Sequence, residues 1–286
     1  MDANIDSFLN WSRDQLAQAG VLSPRLDSEV LLAHTLNLSR TSLWTQAARV
    51  LSDSEKKIAK KNIERRSKRE PVSLIVGHQE FWSLDFIVDE NVLAPRPETE
   101  LLIETALKCI SSQHPVKILD LGTGSGVLAV VMAKEIPECK VSAIDIDPKA
   151  LIIAKENAAR HKVADRIEFV CADLRKSEWS GSYSMILSNP PYIKSADIQK
   201  IMPEVQSYEP GKALDGGVTG LDFYRAIIPM AVDRLAENGF LILEIGHTQA
   251  TEVTALLKKF SCYKDIEVFQ DYSGYDRVVK AQKANG

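Results

Sequence analysis

The chain has 286 residues, of which 45% are hydrophobic and 26% are charged, and its formal net charge is −4. This length allows one large or two ordinary domains, and the composition is typical of a soluble globular protein. The slightly acidic balance argues against stable nucleic-acid binding. No apolar run approaches the roughly 18 residues of a membrane helix, and the acidic N-terminus is unlike a secretory signal, so we expect a cytoplasmic protein without membrane association.

Cysteine and histidine spacing gives no indication of a metal site or a disulfide framework. The sequence has no CxxC pair, no Cys/His cluster and no HExxH-like spacing. We therefore expect core thiols and no metal. The scattered residues are Cys109, Cys139, Cys171, Cys262, His34, His78, His114, His161 and His247.

The first part of the chain has a helical pattern. Up to about residue 70, apolar residues recur three and four apart, which predicts a small helical domain over residues 1–70. Its segment 55–70, "EKKIAKKNIERRSKRE", holds eight basic and three acidic residues. A solvated helix face is the favoured interpretation of this run, and a contact with an acidic partner or RNA is the alternative.

From residue 71 the apolar pattern changes to a period of two. Phe81, Leu84 and Phe86 lie in β-like surroundings, and Pro95 ends the stretch. We therefore interpret residues 71–95 as a linker that carries a β-hairpin.

From residue 96 to the end, a helix over "ETELLIETALKCI" is followed by repeated strand and helix patterns. Such repeats predict an α/β domain with a doubly wound, mostly parallel sheet, whose ligands bind at the carboxyl ends of the strands. The first predicted strands are "VKILDLG" (116–122), "CKVSAIDID" (139–147), "RIEFVCADL" (166–174) and "YSMILS" (183–188). They are followed by helix "GLDFYRAIIPMAVDRLAENG", strand "FLILEIG", helix "TQATEVTALLKKF" and strands "IEVFQD" and "DRVVKAQ".

Three glycines follow the first of these strands, in "LDLGTGSG". Gly122, Gly124 and Gly126 lack side chains and let the backbone approach a ligand. A dinucleotide-binding loop would have its third glycine at position 127, where Val127 stands. Asp120 precedes the glycines; a carboxylate there would repel a pyrophosphate and suits a cationic ammonium group, such as the methionine end of S-adenosylmethionine.

Acidic residues end the next two strands. Asp145 lies about 20 residues after the glycines, where a carboxylate can accept hydrogen bonds from both ribose hydroxyls. Asp147 competes for this role, but Asp-Pro is typical of a helix start, so capping is the favoured interpretation. Asp173 could accept from an adenine amino group or could simply form a turn.

The fourth strand leads into "SNPPYI". A residue before proline favours extended dihedral angles, so Asn189, Pro190 and Pro191 should form a stiff corner, with Tyr192 as an aromatic wall. Because a carboxamide does not titrate near neutral pH, Asn189 is suited to hold a ligand rather than to transfer protons. Taken alone, the tetrapeptide could also be an ordinary Pro-Pro turn.

Taken in order, DLGTGSG, Asp145, Asp173 and NPPY resemble the class I S-adenosylmethionine-dependent methyltransferases. NPPY after the fourth strand resembles those that methylate a planar nitrogen, either an adenine amino group or a glutamine amide. This resemblance implies that the Asn189 Oδ1 and the Pro190 carbonyl accept the two N–H groups of the target, while Tyr192 packs against its plane.

The whole chain resembles the peptide chain release factor glutamine methyltransferases, the HemK/PrmC family, through "APRPETELLIE", "DLGTGSG", "SNPPYI", "EPGKALDGG" and "LILEIG". The resemblance implies that the substrate is the glutamine of the Gly-Gly-Gln motif in class I release factors. Because the catalytic motifs all lie after residue 115, we expect the helical domain to recognise the release factor, and we expect a monomer. The resemblance assigns Asn189, Pro190 and Tyr192 to catalysis, and these with Pro191 to the substrate. It assigns the cofactor contacts to Asp120, Gly122, Thr123, Gly124, Ser125, Gly126, Asp145, Asp173, Leu174 and Asn189.

Two segments differ from the family or carry no assigned role. Family members often have an aromatic residue where Leu174 stands, so we expect apolar packing rather than stacking against the adenine. The "RPETE" segment, with Arg96, Glu98 and Glu100, should lie near the mouth of the site, although a helix start that begins with proline explains most of it.

The sequence is also compatible with two other functions. An adenine-amino DNA or RNA methyltransferase would share NPPY but must flip a base and grip phosphates. A non-catalytic module would bind the cofactor without turnover.

Overall fold

The computed structural model describes residues 4–110, 116–176 and 181–285, so His114 lies outside the described residues. The chain divides into two compact units: unit 1 comprises Met1–His78 and Met202–Tyr208, and unit 2 comprises Gln79–Ile201 and Glu209–Gly286. The helices are α1 (Ile5–Gln18), α2 (Pro24–Leu36), α3 (Arg40–Thr45), α4 (Asp53–Ser67), α5 (Val72–Val76), α6 (Glu100–Lys108), α7 (Val127–Glu135), α8 (Pro148–Arg160), α9 (Pro203–Tyr208), α10 (Asp222–Arg234) and α11 (Ala250–Leu257). The strands are β1 (His78–Phe81), β2 (Leu84–Ile87), β3 (Lys117–Leu121), β4 (Lys140–Asp145), β5 (Ile167–Cys171), β6 (Tyr183–Ser188), β7 (Leu235–Glu244), β8 (Tyr263–Gln270) and β9 (Asp276–Lys283).

Unit 1 is helical, as the spacing of its apolar residues predicts. Its core includes Ile5, Leu16, Leu32 and Ile63, contributed by α1, α2 and α4. The N-terminus of α4 is closed by a capping box, in which the Ser52 and Glu55 side chains each accept from the other residue's backbone N–H. Val72–Val76, at the start of the predicted hairpin-bearing linker, form the short helix α5.

The basic run 55–70 has two faces within unit 1. Its lysines Lys57, Lys60, Lys61 and Lys68 are exposed. Its arginines form ion pairs inside the unit: Arg65 with Glu70, Arg66 with Asp27 and Glu204, and Arg69 with Glu204. A lysine keeps its charge in water on a flexible stem, whereas the planar guanidinium group suits buried pairs. Only the lysine face therefore fits the interpretation of a solvated surface.

Unit 2 is built on a seven-stranded sheet with the order β5-β4-β3-β6-β7-β9-β8. The pairs from β5 to β7 are parallel, and β9 pairs antiparallel with β7 and β8. The predicted doubly wound, mostly parallel sheet is confirmed, and so is the hairpin, formed by β1 and β2. The strand order reverses direction between β3 and β6, which is where ligands bind in open sheets of this kind.

The helix predicted over residues 220–239 is too long. α10 ends at Arg234, and Leu235 already pairs with Tyr183 as the start of β7. Asn238 adopts a left-handed conformation (φ 59°), and the β6–β7 register shifts between Tyr183 and Met185, so the polar "AENG" belongs to an irregular strand entry. Among the described residues, no helix is long and apolar enough to cross a membrane.

Candidate active site

A cavity of about 350 Å³ lies in unit 2 at the carboxyl ends of the central strands. The register pairs Leu121 at the end of β3 with Ile144 of β4 and with Ser188 of β6, so the segments that follow these three strands leave the sheet side by side. Both predicted motifs, the glycine loop and NPPY, therefore contribute to one cavity wall, through Gly124 and Asn189 among others.

The glycine loop has the geometry that needs glycine. Gly122, Gly124 and Gly126 have φ values of 74°, 55° and 83°, which residues with a side chain rarely adopt. A Cβ on Gly124 would meet no atom within 4 Å, whereas one on Gly126 would lie 3.0 Å from the Ala154 Cβ. Gly124 thus lines open space with Gly122, Thr123 and Ser125, and Gly126 allows α7 to pack against α8.

Asn157 of α8 supports this loop and was not expected from the sequence. Its buried amide donates to the Ser125 carbonyl at 2.9 Å and to the Ile87 carbonyl at 3.0 Å, and it accepts from the Ile87 N–H at 2.7 Å. One side chain therefore joins the glycine loop to the end of the hairpin. An asparagine inside an amphipathic helix gives no distinctive sequence signal for this role.

Asp120 lies beneath the glycine loop rather than on the cavity wall. It is fully buried, and its Oδ2 accepts from the Thr123 hydroxyl at 2.6 Å and from the Ala129 N–H at 3.2 Å. Oδ1 has no hydrogen-bond partner among the described residues. Burial raises the pKa of Asp120 to about 7, against the effect of these hydrogen bonds. Its predicted contact with the methionine end of the cofactor stays a prediction.

Asp145 and Asp147 both line the cavity, but they differ in their bonds. The Asp145 carboxylate accepts from the N–H groups of Gly124 and Asp147, each at 2.9 Å, and burial raises its pKa. Asp147 accepts from the Lys149 N–H and caps α8, which confirms the capping interpretation. It also pairs with Lys212. Burial alone would raise the pKa of Asp147, but hydrogen bonds from the Lys212 ammonium group and the Lys149 N–H, together with the charges of both lysines, outweigh burial and lower the pKa.

The far end of the cavity carries Asp173, Leu174 and Phe223. Arg175 forms two 3.0 Å hydrogen bonds to the Asp173 carboxylate and lowers its pKa. The same guanidinium group lies 5.8 Å from the centre of the Phe223 ring. Phe223, from α10, lines the same cavity and supplies an aromatic face that sequence reasoning missed, because position 223 is nearly 50 residues away from Leu174 in the chain.

Hydrogen bonds with later parts of the chain fix the NPPY corner. The Ile193 N–H donates to the Leu214 carbonyl at 3.0 Å, and the Gln249 amide donates to the Tyr192 carbonyl at 3.1 Å. Asn189 and Pro191 line the cavity, while Pro190 is buried and Tyr192 packs against the core of unit 2. Burial raises the pKa of Tyr192 to about 12, so its phenol is neutral at pH 7.

A buried polar network holds Asn189. Its Nδ2 donates to the Thr99 Oγ1 at 3.2 Å, and Thr99 is only 3% exposed. Behind them lies Glu244, 2% exposed, at the end of β7. Burial raises the pKa of Glu244 to about 7, while hydrogen bonding from Thr99, the charge of Arg277 and hydrogen bonding from Asn189 oppose the rise.

The residues of the cavity fit S-adenosylmethionine. The open backbone at Gly124 can approach a ligand, Asp145 and Asp173 present acceptors for hydroxyl and amino groups, and Leu174 and Phe223 offer apolar surface for a planar base. No group of three or more His, Cys, Asp or Glu within the described part of the chain could hold a metal ion.

The comparisons with known proteins agree with this chemistry. A family model described as the PrmC N-terminal domain matches residues 7–77, and one described as the methyltransferase small domain matches residues 97–205. A solved methyltransferase from Pyrococcus furiosus has a TM-score of 0.53 and 18% identity, covering 72% of this chain and 91% of that one. The ribosomal protein L11 methylase from Lactobacillus delbrueckii subsp. bulgaricus has a TM-score of 0.51 and 19% identity, covering 72% and 90%. The two structures show the fold alone.

Fold and site together define a class I S-adenosylmethionine-dependent methyltransferase. The protein named release factor glutamine methyltransferase in Geobacter sulfurreducens is 40% identical over 96% of this chain and 95% of its own length. The protein of that name in Rhodopirellula baltica is 37% identical over 97% and 95%. This chain belongs to the release factor glutamine methyltransferase family. The predictions of the family, of a methyltransferase enzyme and of its cofactor are confirmed.

Proposed function

We propose that the enzyme methylates the side-chain amide nitrogen of the glutamine in the Gly-Gly-Gln motif of class I peptide chain release factors. The observation that carries the proposal is the Asn189 amide on the cavity wall. Its NH2 group is bound to Thr99, which leaves Oδ1 as the acceptor for an incoming amide. Relatives that match nearly the whole chain are named for this reaction.

The difficulty of the reaction is the delocalised lone pair of an amide nitrogen. The bound cofactor supplies an electrophilic methyl group on its sulfonium. Asn189 Oδ1 and the Pro190 carbonyl accept the two N–H groups of the glutamine, which orients the amide and favours charge on its nitrogen as the bond forms. The neutral Tyr192 phenol packs nearby and is no base at pH 7. A strong base is not required, because alkylation acidifies the attacked nitrogen and the proton can leave afterwards.

We propose that unit 1 recognises the release factor outside the Gly-Gly-Gln loop. Such a loop alone buries less surface than the roughly 1,200 Å² of a specific interface. Unit 1 exposes large apolar side chains on α2, α3 and the turn before α2: Leu22 is 79% exposed, Leu26 45% and Trp44 51%. The guanidinium group of Arg25 lies 5.2 Å from the centre of the Trp44 ring. Aromatic and arginine side chains are enriched where proteins bind each other.

Two substitutions test this recognition. In full-length Leu22→Ser/Trp44→Ala, the KM for an intact release factor should rise about tenfold or more, while the KM for a short glutamine peptide stays unchanged. The matched control is Ile152→Ser, which removes an exposed apolar side chain from α8 in unit 2. Equal changes for peptide and protein would contradict recognition by unit 1.

We further propose that the enzyme acts as a monomer in the cytoplasm without stable nucleic-acid binding. The net charge is −4, and the arginines at 65, 66 and 69 are engaged in ion pairs within unit 1. What remains of the basic run is a lysine face, which adds a salt-sensitive element to protein contacts.

The deciding experiment uses labelled S-adenosylmethionine with three acceptors: a class I release factor, its variant with the Gly-Gly-Gln glutamine changed to alanine, and duplex DNA. We expect label in the first alone. Label in the glutamine variant would show that another residue of the release factor is methylated. Label only in DNA would favour the adenine-amino methyltransferase. No transfer with normal cofactor binding would favour the non-catalytic module.

A further inference from the structure

Two buried carboxylates near the cavity, those of Asp120 and Glu244, lack an ion-pair partner in direct contact among the described residues. Asp120 is bound to the glycine loop through Thr123. Glu244 lies at the carboxyl end of β7, is 2% exposed and keeps Oε2 without a hydrogen-bond partner in the described part of the chain. A buried carboxylate in this state is costly, so its position calls for a function.

The Asn189 carboxamide has two ends of nearly equal size and opposite polarity. A half-turn about the Cβ–Cγ bond of Asn189 exchanges the positions of the C=O acceptor and the NH2 donors. Only one orientation presents Oδ1 to a substrate amide; the other presents N–H groups to N–H groups. The proposed function therefore requires something that distinguishes the two ends.

Thr99 alone cannot make the distinction. A hydroxyl both donates and accepts, so it could bond either end of the Asn189 amide. An ionised carboxylate can only accept. Glu244 accepts hydrogen bonding from both Thr99 and Asn189. The Thr99 hydroxyl therefore donates its single proton toward the carboxylate, and its oxygen is left to accept from Asn189 Nδ2, the contact seen at 3.2 Å. The reversed amide would place Oδ1 against the Thr99 oxygen and near the Glu244 charge.

We propose that Glu244 is a positioning residue that acts both directly and through Thr99 to hold the Asn189 amide with its oxygen toward the substrate. This inference rests on the proposed function, which supplies the amide that Asn189 must orient. Hydrogen bonds in such a chain polarise one another, so the same arrangement strengthens Asn189 Oδ1 as an acceptor. Tyr192 adds no charge to this network, since its phenol is neutral at pH 7.

The experiment compares Glu244→Gln, Thr99→Val and the control Thr99→Ser at pH 8, where the carboxylate is ionised. Glu244→Gln keeps the size of the side chain but introduces a donor, and so permits the reversed amide. Single-turnover methylation of an intact release factor should slow about tenfold or more in the first two variants and little in Thr99→Ser. Thermal unfolding and calorimetry with S-adenosylhomocysteine should show an intact fold and unchanged cofactor affinity.

A double-mutant cycle separates positioning from a merely structural role. In an Asn189→Ala background, Glu244→Gln should slow the residual reaction less than about twofold, because there is no amide left to orient. An equal slowing in both backgrounds, or no slowing in the single variant, overturns the inference.

Exchange of the Asn189 side-chain N–H protons, followed by NMR, gives a second readout that does not depend on activity. We expect protection in the wild type and its loss in Glu244→Gln. If the wild type methylates no release factor yet shows this pattern, the proposed function fails and the positioning role stands. If methylation is normal and exchange is equal in both proteins, the positioning role alone is overturned.

Discussion

Units 1 and 2 both bury carboxylates, but the pKa values of two buried acids in unit 1 and of two in unit 2 shift in opposite directions. In unit 1, Glu29 lies between Arg25 and Arg40, and Glu204 lies between Arg66 and Arg69. Burial alone would raise the pKa of each acid, yet hydrogen bonds from the arginines outweigh it, and both pKa values are lowered.

In unit 2, burial has the stronger effect on the pKa of two fully enclosed acids near the cavity. The pKa values of Asp120 and Glu244 are each raised to about 7, and neither acid has an arginine or lysine in direct contact among the described residues. An unpaired buried charge is tolerated where function needs it and is otherwise avoided. The comparison shows that unit 1 pairs its buried carboxylates with arginines, whereas unit 2 leaves two buried carboxylates near its active site without such a partner among the described residues.

The largest expected effect is the removal of a structural cation from unit 1. Arg66→Ala leaves Asp27 and Glu204 short of a partner inside the protein, and all three side chains are at most 10% exposed. Breaking a buried pair in this way costs about 3–5 kcal/mol of unfolding free energy. Urea denaturation measures it, with Arg13→Ala as the control, since the Arg13–Asp14 pair is exposed and should contribute about 0–1 kcal/mol. Similar losses of unfolding free energy in Arg66→Ala and Arg13→Ala would show that the buried pair contributes no more to stability than the exposed pair.

For Glu244 of unit 2, we expect that removal of the charge raises the free energy of unfolding instead of lowering it. The pKa of Glu244 rises from 4.5 to about 7 on folding, so the folded protein binds this proton more tightly than the unfolded chain. The associated stability is complete below pH 4.5 and is lost as the pH rises through 7. At pH 8, Glu244→Gln should therefore stabilise the protein by on the order of 3 kcal/mol, and by little at pH 5.

Unfolding at the two pH values checks this sign. The exposed Glu252→Gln on α11 serves as control and should show no such difference. The charged groups that act on Glu244 are Arg277, which opposes the rise, and Glu98, which adds to it. A stabilisation of equal size at pH 5 and pH 8 would show that packing, not ionisation, is responsible.

Asn189→Ala tests the active-site side of the comparison. It removes the acceptor aimed at the substrate amide, and losing one such oriented contact slows turnover on the order of a hundredfold or more. Cofactor affinity should stay close to that of the wild type. Steady-state kinetics with a release factor and calorimetry with the cofactor product decide it; a kcat near the wild-type value would exclude the assigned role.

Asp145→Ala should chiefly weaken cofactor binding, since a carboxylate that holds two ribose hydroxyls forms bonds that contribute roughly 1.5–3 kcal/mol each. Asp147→Ala is the matched control, because its carboxylate already caps α8 and pairs with Lys212. Calorimetry should show weaker binding in the first variant than in the second. The reverse order would transfer the ribose contact to Asp147.

Local signals in the sequence determined much of this protein. The change from helical to alternating periodicity predicted the hairpin, Asp-Pro predicted the α8 cap, and glycines after a strand predicted a loop whose backbone can approach a ligand. Each of these depends on residues within a few positions of one another, and the steric limits on the backbone act over that same range.

Only the tertiary structure decided which residues come together at the site. Thr99, Asn189 and Glu244 come from positions 90 and 55 residues apart, and Phe223 of α10 lines the same cavity as Leu174, which follows β5. It also decided which acids have partners: Glu204 lies near the active-site motif in sequence but pairs with arginines of unit 1. The physical reason is that burial and charge pairing are set by whichever side chains packing brings together, and neither periodicity nor a motif records those distant neighbours.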